Sequence, residues 1–298
     1  MKITILGHSG QLARELQKYL KSYELTILNR KQLDLLNVNK IAKVLSQYHH
    51  DIIINATGCN KVEEIESDDN EYERANIINN LALGEIAKYC SDRNIYFISY
   101  STDYVFDGKR DVPYLENSLT NPQTRYGITK DQGEKRILAN MSSCLIMRVS
   151  WVYSIGAPNF LHTILNLLKS NKEIKVVCDQ FGTPTSASFI ALVTQQLINR
   201  YESNNNTSSI SGIINVVPDG DTSWYLYARV IEEIYRGSDF NVSDSLIKNI
   251  STEEYTQIFN TPINRPRYSV LCNTKMKKLL FKDAKLWSSY LRELLDSN

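Results

Sequence analysis

Short apolar runs alternate with longer amphipathic ones through residues 2–151, and this alternation restricts the fold more than any other feature of the chain. KITILG, ELTILN, DIIINAT, IYFISYST and SCLIMRVSW read as strands. Between them, QLARELQKYLKS places Leu12, Leu16 and Leu20 at helical period, and VNKIAKVLSQYH puts Ile41, Val44 and Leu45 on one face. ANIINNLALGEIAKYCSDR and the stretch from about Tyr126 to Asn140 read as two more helices. DIIINAT is apolar throughout, as a parallel strand covered on both faces must be. Strands joined by helices imply right-handed crossovers and an α/β fold with a doubly wound parallel sheet. After Trp151 the pattern changes: FLHTILNLLK, ASFIALVTQQLINRY and SWYLYARVIEEIYR read as helices joined by longer loops. ESNNNTSS at 202–209 reads as a surface loop, and GIINVV at 212–217 as a strand returning to the first sheet. The expected division is a first domain over 1–152, joined by about 185–217, and a smaller interleaved domain over 153–184 and 218–298.

Bulk properties exclude several classes of function. With 34 basic and 33 acidic residues, the net charge of +1 provides no global field for nucleic acid or an anionic membrane. No apolar stretch approaches a membrane span. MKITILGHSG has too short an apolar run for a signal peptide. Cys59, Cys90, Cys144, Cys178 and Cys272 are far apart with no CxxC pair, which suits reduced thiols in a cytoplasmic protein. The four histidines show no metal-ligand spacing, so no metal is expected.

The first strand runs into GHSGQLA. Gly7 and Gly10 let the backbone turn sharply and approach a pyrophosphate, and small Ala13 lets the helix pack on the strand. The helix N-terminus then offers free N–H groups to phosphate. This is the opening of a Rossmann-type dinucleotide site; the alternative is a tight turn without a ligand. At the end of the second strand, where an acid would bond a ribose 2′-hydroxyl, the chain has Asn29-Arg30. Arg30 favours a 2′-phosphate and hence NADPH over NADH, against the alternative of a solvated surface charge. Asp34 and Leu35 are placed to flank the adenine, and Asn55-Ala56-Thr57-Gly58 to pass beneath the cofactor.

YGITK supplies the chemistry. Of 18 tyrosines, Tyr126 alone has a lysine four residues on, Lys130, which shares its helix face. A nearby ammonium stabilises a phenolate and lowers the tyrosine pKa from about 10. That couple suits ketone reduction, in which tyrosine protonates the developing alkoxide. Thr102, at the carboxyl end of the fourth strand in YSTDYVFDG, can bond the same carbonyl oxygen; the alternative for it is backbone capping.

These motifs, in this order, resemble the dTDP-4-dehydrorhamnose reductase family of the extended short-chain dehydrogenase/reductases. The resemblance spans GHSGQLA, NRKQLDLLN, STDYVFDG with NPQTRYGITKDQGE, RVSWVYSIGAPNF, DQFGTPTS and RPRYSVL. It implies Tyr126 as proton donor, Lys130 as its partner and Thr102 as the group that tunes it. It implies a cofactor wall of Gly10, Gln11, Leu12, Arg30, Asp34, Leu35, Thr57, Gly58 and Tyr100. It implies sugar-nucleotide contacts from Thr102, Asp103, Tyr104 and Trp151, with Asn159, Gln180 and Arg267 in blocks that border the substrate. The implied reaction is NAD(P)H-dependent reduction of a nucleotide-linked 4-keto-6-deoxy sugar, with a 3,5-epimerase as pathway neighbour and a monomer or homodimer as the assembly. Some relatives dimerise around magnesium, which no residue here predicts. The chain departs from the family pattern at Thr57, Cys59, Val149, Pro158 and the DGDTSW turn.

Two rivals are set aside on residues. A 4,6-dehydratase would carry Asp-Glu after the threonine, whereas Thr102 is followed by Asp103-Tyr104. A reductase-like regulatory subunit of methionine adenosyltransferase would act by binding alone, and the intact Thr102, Tyr126 and Lys130 argue against it.

Overall fold

The structure is a computed structural model that describes residues 1–170, 172–204, 210–237, 245–259, 265–280 and 282–296. Its first part runs β1 (Lys2–Leu6), α1 (Gln11–Tyr19), β2 (Glu24–Leu28), α2 (Ile41–Leu45), β3 (Ile52–Asn55), α3 (Val62–Ser67), α4 (Asp69–Asn76), α5 (Ala82–Ser91), β4 (Tyr96–Thr102), α6 (Arg125–Asn140) and β5 (Cys144–Val149). The remainder comprises β6 (Val152–Tyr153), α7 (Phe160–Lys169), β7 (Ile174–Val177), β8 (Phe181–Gly182), β9 (Thr185–Ser186), α8 (Ala187–Asn204), β10 (Gly212–Asn215), β11 (Thr222–Ser223), α9 (Trp224–Arg236), β12 (Ile247–Ile250), α10 (Thr252–Phe259), α11 (Thr274–Leu280) and α12 (Trp287–Asp296).

Six strands form one parallel sheet in the order β2-β1-β3-β4-β5-β10. The chain moves outward from β1 to β2, then returns to place β3 on the other side of β1. That reversal opens a crevice at the carboxyl ends of β1 and β3, where folds of this kind bind ligands. Leu6 is level with both Leu28 and Asn55, and Thr102 with Val149, so these strands end on one edge.

Alternate side chains feed opposite faces of the sheet. Ile52, Ile54 and Ile98 join Leu16 of α1, Leu20 just past its end, and Phe189, Ile190, Val193 and Leu197 of α8. Ile53, Phe97 and Ile146 join Ile41 and Leu45 of α2, Ile86 of α5 and Ile137 of α6. Each of these fully buried aliphatic side chains contributes on the order of 1.5–3 kcal/mol. A separate core lies beyond the sheet, where Leu161 and Ile164 of α7 and Tyr227 and Ile231 of α9 meet Ile174, Ile247, Trp287 and Leu291.

The expected strands are present, and the helix expected over about 126–140 spans Arg125–Asn140. Two helical expectations need correction. VNKIAKVLSQYH forms only a 3₁₀ turn at Val38–Lys40 and the short α2, because Ser46 Oγ bonds Lys43 O and the His50 ring takes Leu45 O. The helix expected to begin at Ala75 starts earlier, where Asp68 caps α4 by accepting from the N–H groups of Asn70 and Glu71. It is then interrupted by a π-helical turn, Ile77–Leu81. Of the loop expected at 202–209, residues 202–204 are the last turn of α8, and 205–209 lie outside the described residues. Among the described residues no helix is long and apolar enough to cross a membrane.

Candidate active site

The nucleotide end is built from backbone. Gly7 leaves β1 with φ of +109°, a region that L side chains rarely adopt, and a Cβ there would press on Ala56 O at 3.2 Å. Gly10 begins α1 with no side-chain cap, and the first turn holds no acid, so its N–H groups face outward without a protein partner from that turn. Ala13 is fully buried beneath them. This arrangement fits a pyrophosphate. Ala56, Thr57 and Gly58 follow β3 directly alongside, and Thr57 Oγ1 donates to Asn55 Oδ1 at 2.5 Å. Arg30 is 63% exposed and lies 3.7 Å from Asp34, a loose pair free to turn toward a ligand. Leu35 packs into the core rather than toward that surface, and Leu12 is partly buried against the opposite cluster.

The chemistry end is built from side chains. Tyr126 lies in the first turn of α6, whose N-cap Thr124 accepts from Gly127 N–H at 3.0 Å. Gly127 is demanded by close approach: a Cβ would meet Tyr104 O at 2.3 Å. α6 is thereby seated on the segment that follows β4. Tyr104 and Tyr126 meet edge to face, with ring centroids 5.6 Å apart. Burial raises the Tyr126 phenol well above its ordinary value, and a hydrogen bond with Thr102 opposes this. Burial also pulls Lys130 down to about 8, while Glu134 works against that shift. The expectation that lysine depresses the tyrosine pKa therefore fails in the chain as it stands, because burial dominates. A phenol held neutral is nonetheless the form that gives a proton.

Lys130 Nζ donates to the Tyr100 carbonyl at 2.6 Å. The Tyr100 ring points away into the core and bonds Thr194 at 2.8 Å, so only its backbone faces the site. α6 is anchored to β5 by a buried pair: Arg148 meets Glu134 through two bonds of 2.9 and 2.6 Å, with both residues under 4% exposed. Asp103 is turned inward, accepting from Thr102 Oγ1 at 3.0 Å and Ser150 Oγ at 3.1 Å.

A cavity of about 590 Å³ opens beside this edge. It brings together Gln11, Trp151, Asn159 and Gln180 from four separate segments. Gln11 Oε1 accepts from Ser154 at 3.1 Å and from Asn159 at 3.4 Å, linking the nucleotide end to the cavity. Trp151 adopts φ of +46°, uncommon for a bulky residue, and stacks on Trp224 at 3.5 Å. Gln180 donates to Thr252 at 3.0 Å. Arg267 is exposed and lies outside the wall; Arg265 lines it instead, paired with Glu63 and 3.5 Å from the Tyr104 hydroxyl. Tyr126 and Thr102 are outside the lining, one ring behind Arg265 through Tyr104. Sequence reasoning missed Arg265, Trp224 and Thr252. Arg265 could have been found by weighing both arginines of RPRYSVL; the other two carry no local signal. Among the described residues no group of three His, Cys, Asp or Glu side chains is placed to hold a metal ion.

Comparison with known proteins agrees with this geometry. The family model described as "RmlD substrate binding domain" matches residues 1–298. A dTDP-4-dehydrorhamnose reductase of Shigella flexneri is 34% identical over 283 residues, covering 93% of this chain and 91% of that protein. Among solved structures, a dTDP-4-dehydrorhamnose reductase of Clostridium acetobutylicum superposes with a TM-score of 0.87 at 33% identity, covering 100% of this chain and 99% of that one. The Bacillus anthracis dTDP-4-dehydrorhamnose reductase, solved in complex with NADP, gives 0.86 at 28% identity over 100% and 99%.

Proposed function

The chain belongs to the RmlD substrate binding domain family, and from that premise we propose that it is an NADPH-dependent reductase of dTDP-4-dehydro-L-rhamnose, yielding dTDP-L-rhamnose. The single observation that carries the reading is the convergence of the Gly7–Ala13 turn, Thr102, Tyr126 and Lys130 on one sheet edge beside a cavity large enough for a sugar nucleotide. When bound at the glycine turn, NADPH supplies the hydride. Tyr126, kept protonated by burial, gives its proton to the oxygen of the ketone as the alcohol forms. Lys130, one turn along α6, carries the positive charge that stabilises the resulting phenolate. Gln11, Ala56, Thr57, Gly58 and Arg30 are proposed cofactor contacts, with Asp34 beside Arg30 and Leu12, Leu35 and Tyr100 contributing backbone only. Tyr104, Trp151, Asn159 and Gln180 are proposed substrate contacts, and Arg265 takes the place of Arg267.

The proposal keeps the domain division at 1–152 with 185–217 against 153–184 with 218–298. Support comes from the pairing of β10 with β5 and the packing of α8 on α1. It also places the protein in the cytoplasm, in keeping with five free thiols, with a 3,5-epimerase acting just upstream.

NADPH absorbance provides the test. Purified protein receives dTDP-4-dehydro-6-deoxyglucose with and without a 3,5-epimerase. Oxidation only with the epimerase is expected. Oxidation without it points to a reductase of a different 4-keto sugar, and none in either mixture, despite cofactor binding, ends this reading.

A further inference from the structure

Trp151 contacts the sugar nucleotide in the function proposed above, and the role assigned here to a second tryptophan rests on that reading. We propose that Trp224 is a positioning residue: it seats the Trp151 indole, and through that indole sets the grip of the cavity on the sugar nucleotide.

Trp151 stands where the sheet passes into the cavity. It comes two residues after Val149, the strand partner of Thr102, and it lines the cavity wall. Its backbone has φ of +46°, which a bulky side chain adopts only where the surroundings over-determine it. Its neighbours do so. Thr185 N–H donates to Trp151 O at 3.2 Å, and the register of β6 on β9 sets Val152 beside Thr185. The indole is held by the small ribbon of β8 and β11, whose register sets Gly182 beside Thr222 and Phe181 beside Ser223. Gly182 gives the indole its space: a Cβ there would lie 2.4 Å from Trp151 Cε2 and 2.6 Å from Nε1. Trp224 follows β11 directly as the first residue of α9. It lays its ring on that of Trp151, with centroids 3.5 Å apart and planes 8° from parallel.

The surroundings impose that stack. At 3.5 Å between centroids the two rings are almost eclipsed, whereas aromatic pairs favour an offset stack or an edge-to-face meeting. Trp224 is fixed on its own side. Ser223 caps α9 by accepting from Leu226 N–H at 3.2 Å. Phe160, the first residue of α7, packs on the Trp224 ring with centroids 4.5 Å apart. Trp224 is thus tied to α7 and α9, and Trp151 to the end of β5. The stack is the contact by which those two helices fix a side chain at the sheet edge. Trp224 lines the cavity as well, so a direct grip on the ligand is the rival role, and the two are separable.

A crystal structure of ligand-free Trp224→Leu tests the seat itself. Leucine leaves part of a layer about 3.5 Å thick unfilled, so the Trp151 indole should shift by about 1 Å or more. An indole that stays in place overturns the proposal. Calorimetry with dTDP-L-rhamnose, the product of the reaction proposed above, tests the consequence. Its Kd should rise about five- to tenfold in Trp224→Leu, within the range of one aromatic pair, while the Kd for NADPH stays within about twofold. Trp224→Phe keeps a flat ring on the indole and should return the product Kd to within about threefold of the parent. In a Trp151→Ala background, Trp224→Leu should cost less than about twofold, since a double-mutant cycle isolates the coupling. A loss as large there as in the parent would mean that Trp224 grips the ligand on its own, and an unchanged product Kd in Trp224→Leu would mean that the seat has no consequence. Either result overturns the proposal. If Trp224→Leu does not fold, Trp224→Phe carries the test. A rise of about two- to threefold that disappears in the Trp151→Ala background supports the proposal, and a rise that persists, or none, overturns it. A parent that binds no dTDP-L-rhamnose defeats the reductase reading instead, and the crystal structure still decides whether Trp224 seats Trp151.

Discussion

Around Gly7–Ala13 the groups that face a ligand are backbone N–H groups and glycine carbons, whereas around Thr102–Lys130 they are side chains set among other buried side chains. The difference has consequences. A backbone-made site depends on φ angles and close approach, and it tolerates change in the side chains around it. A side-chain-made site needs a supporting layer: Glu134 and Arg148 hold α6 on β5, and Asp103 with Ser150 holds Thr102. Substitutions at the chemistry end should therefore be costly in two separable ways, through lost chemistry and through lost support. Those at the nucleotide end should be mild unless they strike a glycine.

Tyr126→Phe makes the sharpest separation. Removing the proton donor should lower kcat by about 10²–10⁴. NADPH affinity, followed by fluorescence titration, should change by no more than about twofold, roughly 0.4 kcal/mol, because the substitution leaves the backbone of the phosphate-binding turn untouched. A parallel collapse of NADPH binding would show that the two ends are one unit and would break the comparison. Next in size is Glu134→Gln, which touches no ligand. It leaves Arg148, 2% exposed, facing a neutral amide in place of its carboxylate. Losing one partner of a buried pair costs about 3–5 kcal/mol, and the amide should keep the loss near 3 kcal/mol. Urea unfolding measures it; a change under about 1 kcal/mol would mean that the support is not where the structure puts it.

The same contrast explains what was legible in the sequence. GHSGQLA, each strand and helix of the first half, and YGITK are contiguous, and each carries its own periodicity or spacing. The cavity wall is not contiguous. Trp151 meets Trp224 only because β8, β11 and α9 fold back onto the end of β5, and Gln180 meets Thr252 across 72 residues. No window of sequence encodes such a pair. Orientation was equally hidden: strand period gives Tyr100 a face, but not that its ring would bond Thr194 while its carbonyl took Lys130. The π-helical turn at Ile77–Leu81 also left no apolar signature. There Asn79 bonds both Cys59 backbone groups and Thr129, a reward of tertiary contact that propensity does not register.

Arg30 makes the smallest prediction and the finest test of the backbone-made end, since it is the one side chain there assigned to selectivity. Its pair with Asp34 is long and exposed, and such pairs contribute about 0–1 kcal/mol, so Arg30→Ala should leave unfolding free energy within about 0.5 kcal/mol of the parent. Its guanidinium should matter only when a 2′-phosphate is present to accept charge-assisted bonds. The KM for NADPH should therefore rise about five- to tenfold, roughly 1–1.4 kcal/mol at 25 °C, while that for NADH stays level. Matched losses for both cofactors would place Arg30 against a part that they share. No loss for either would make it a solvated surface charge and would leave cofactor choice to the backbone.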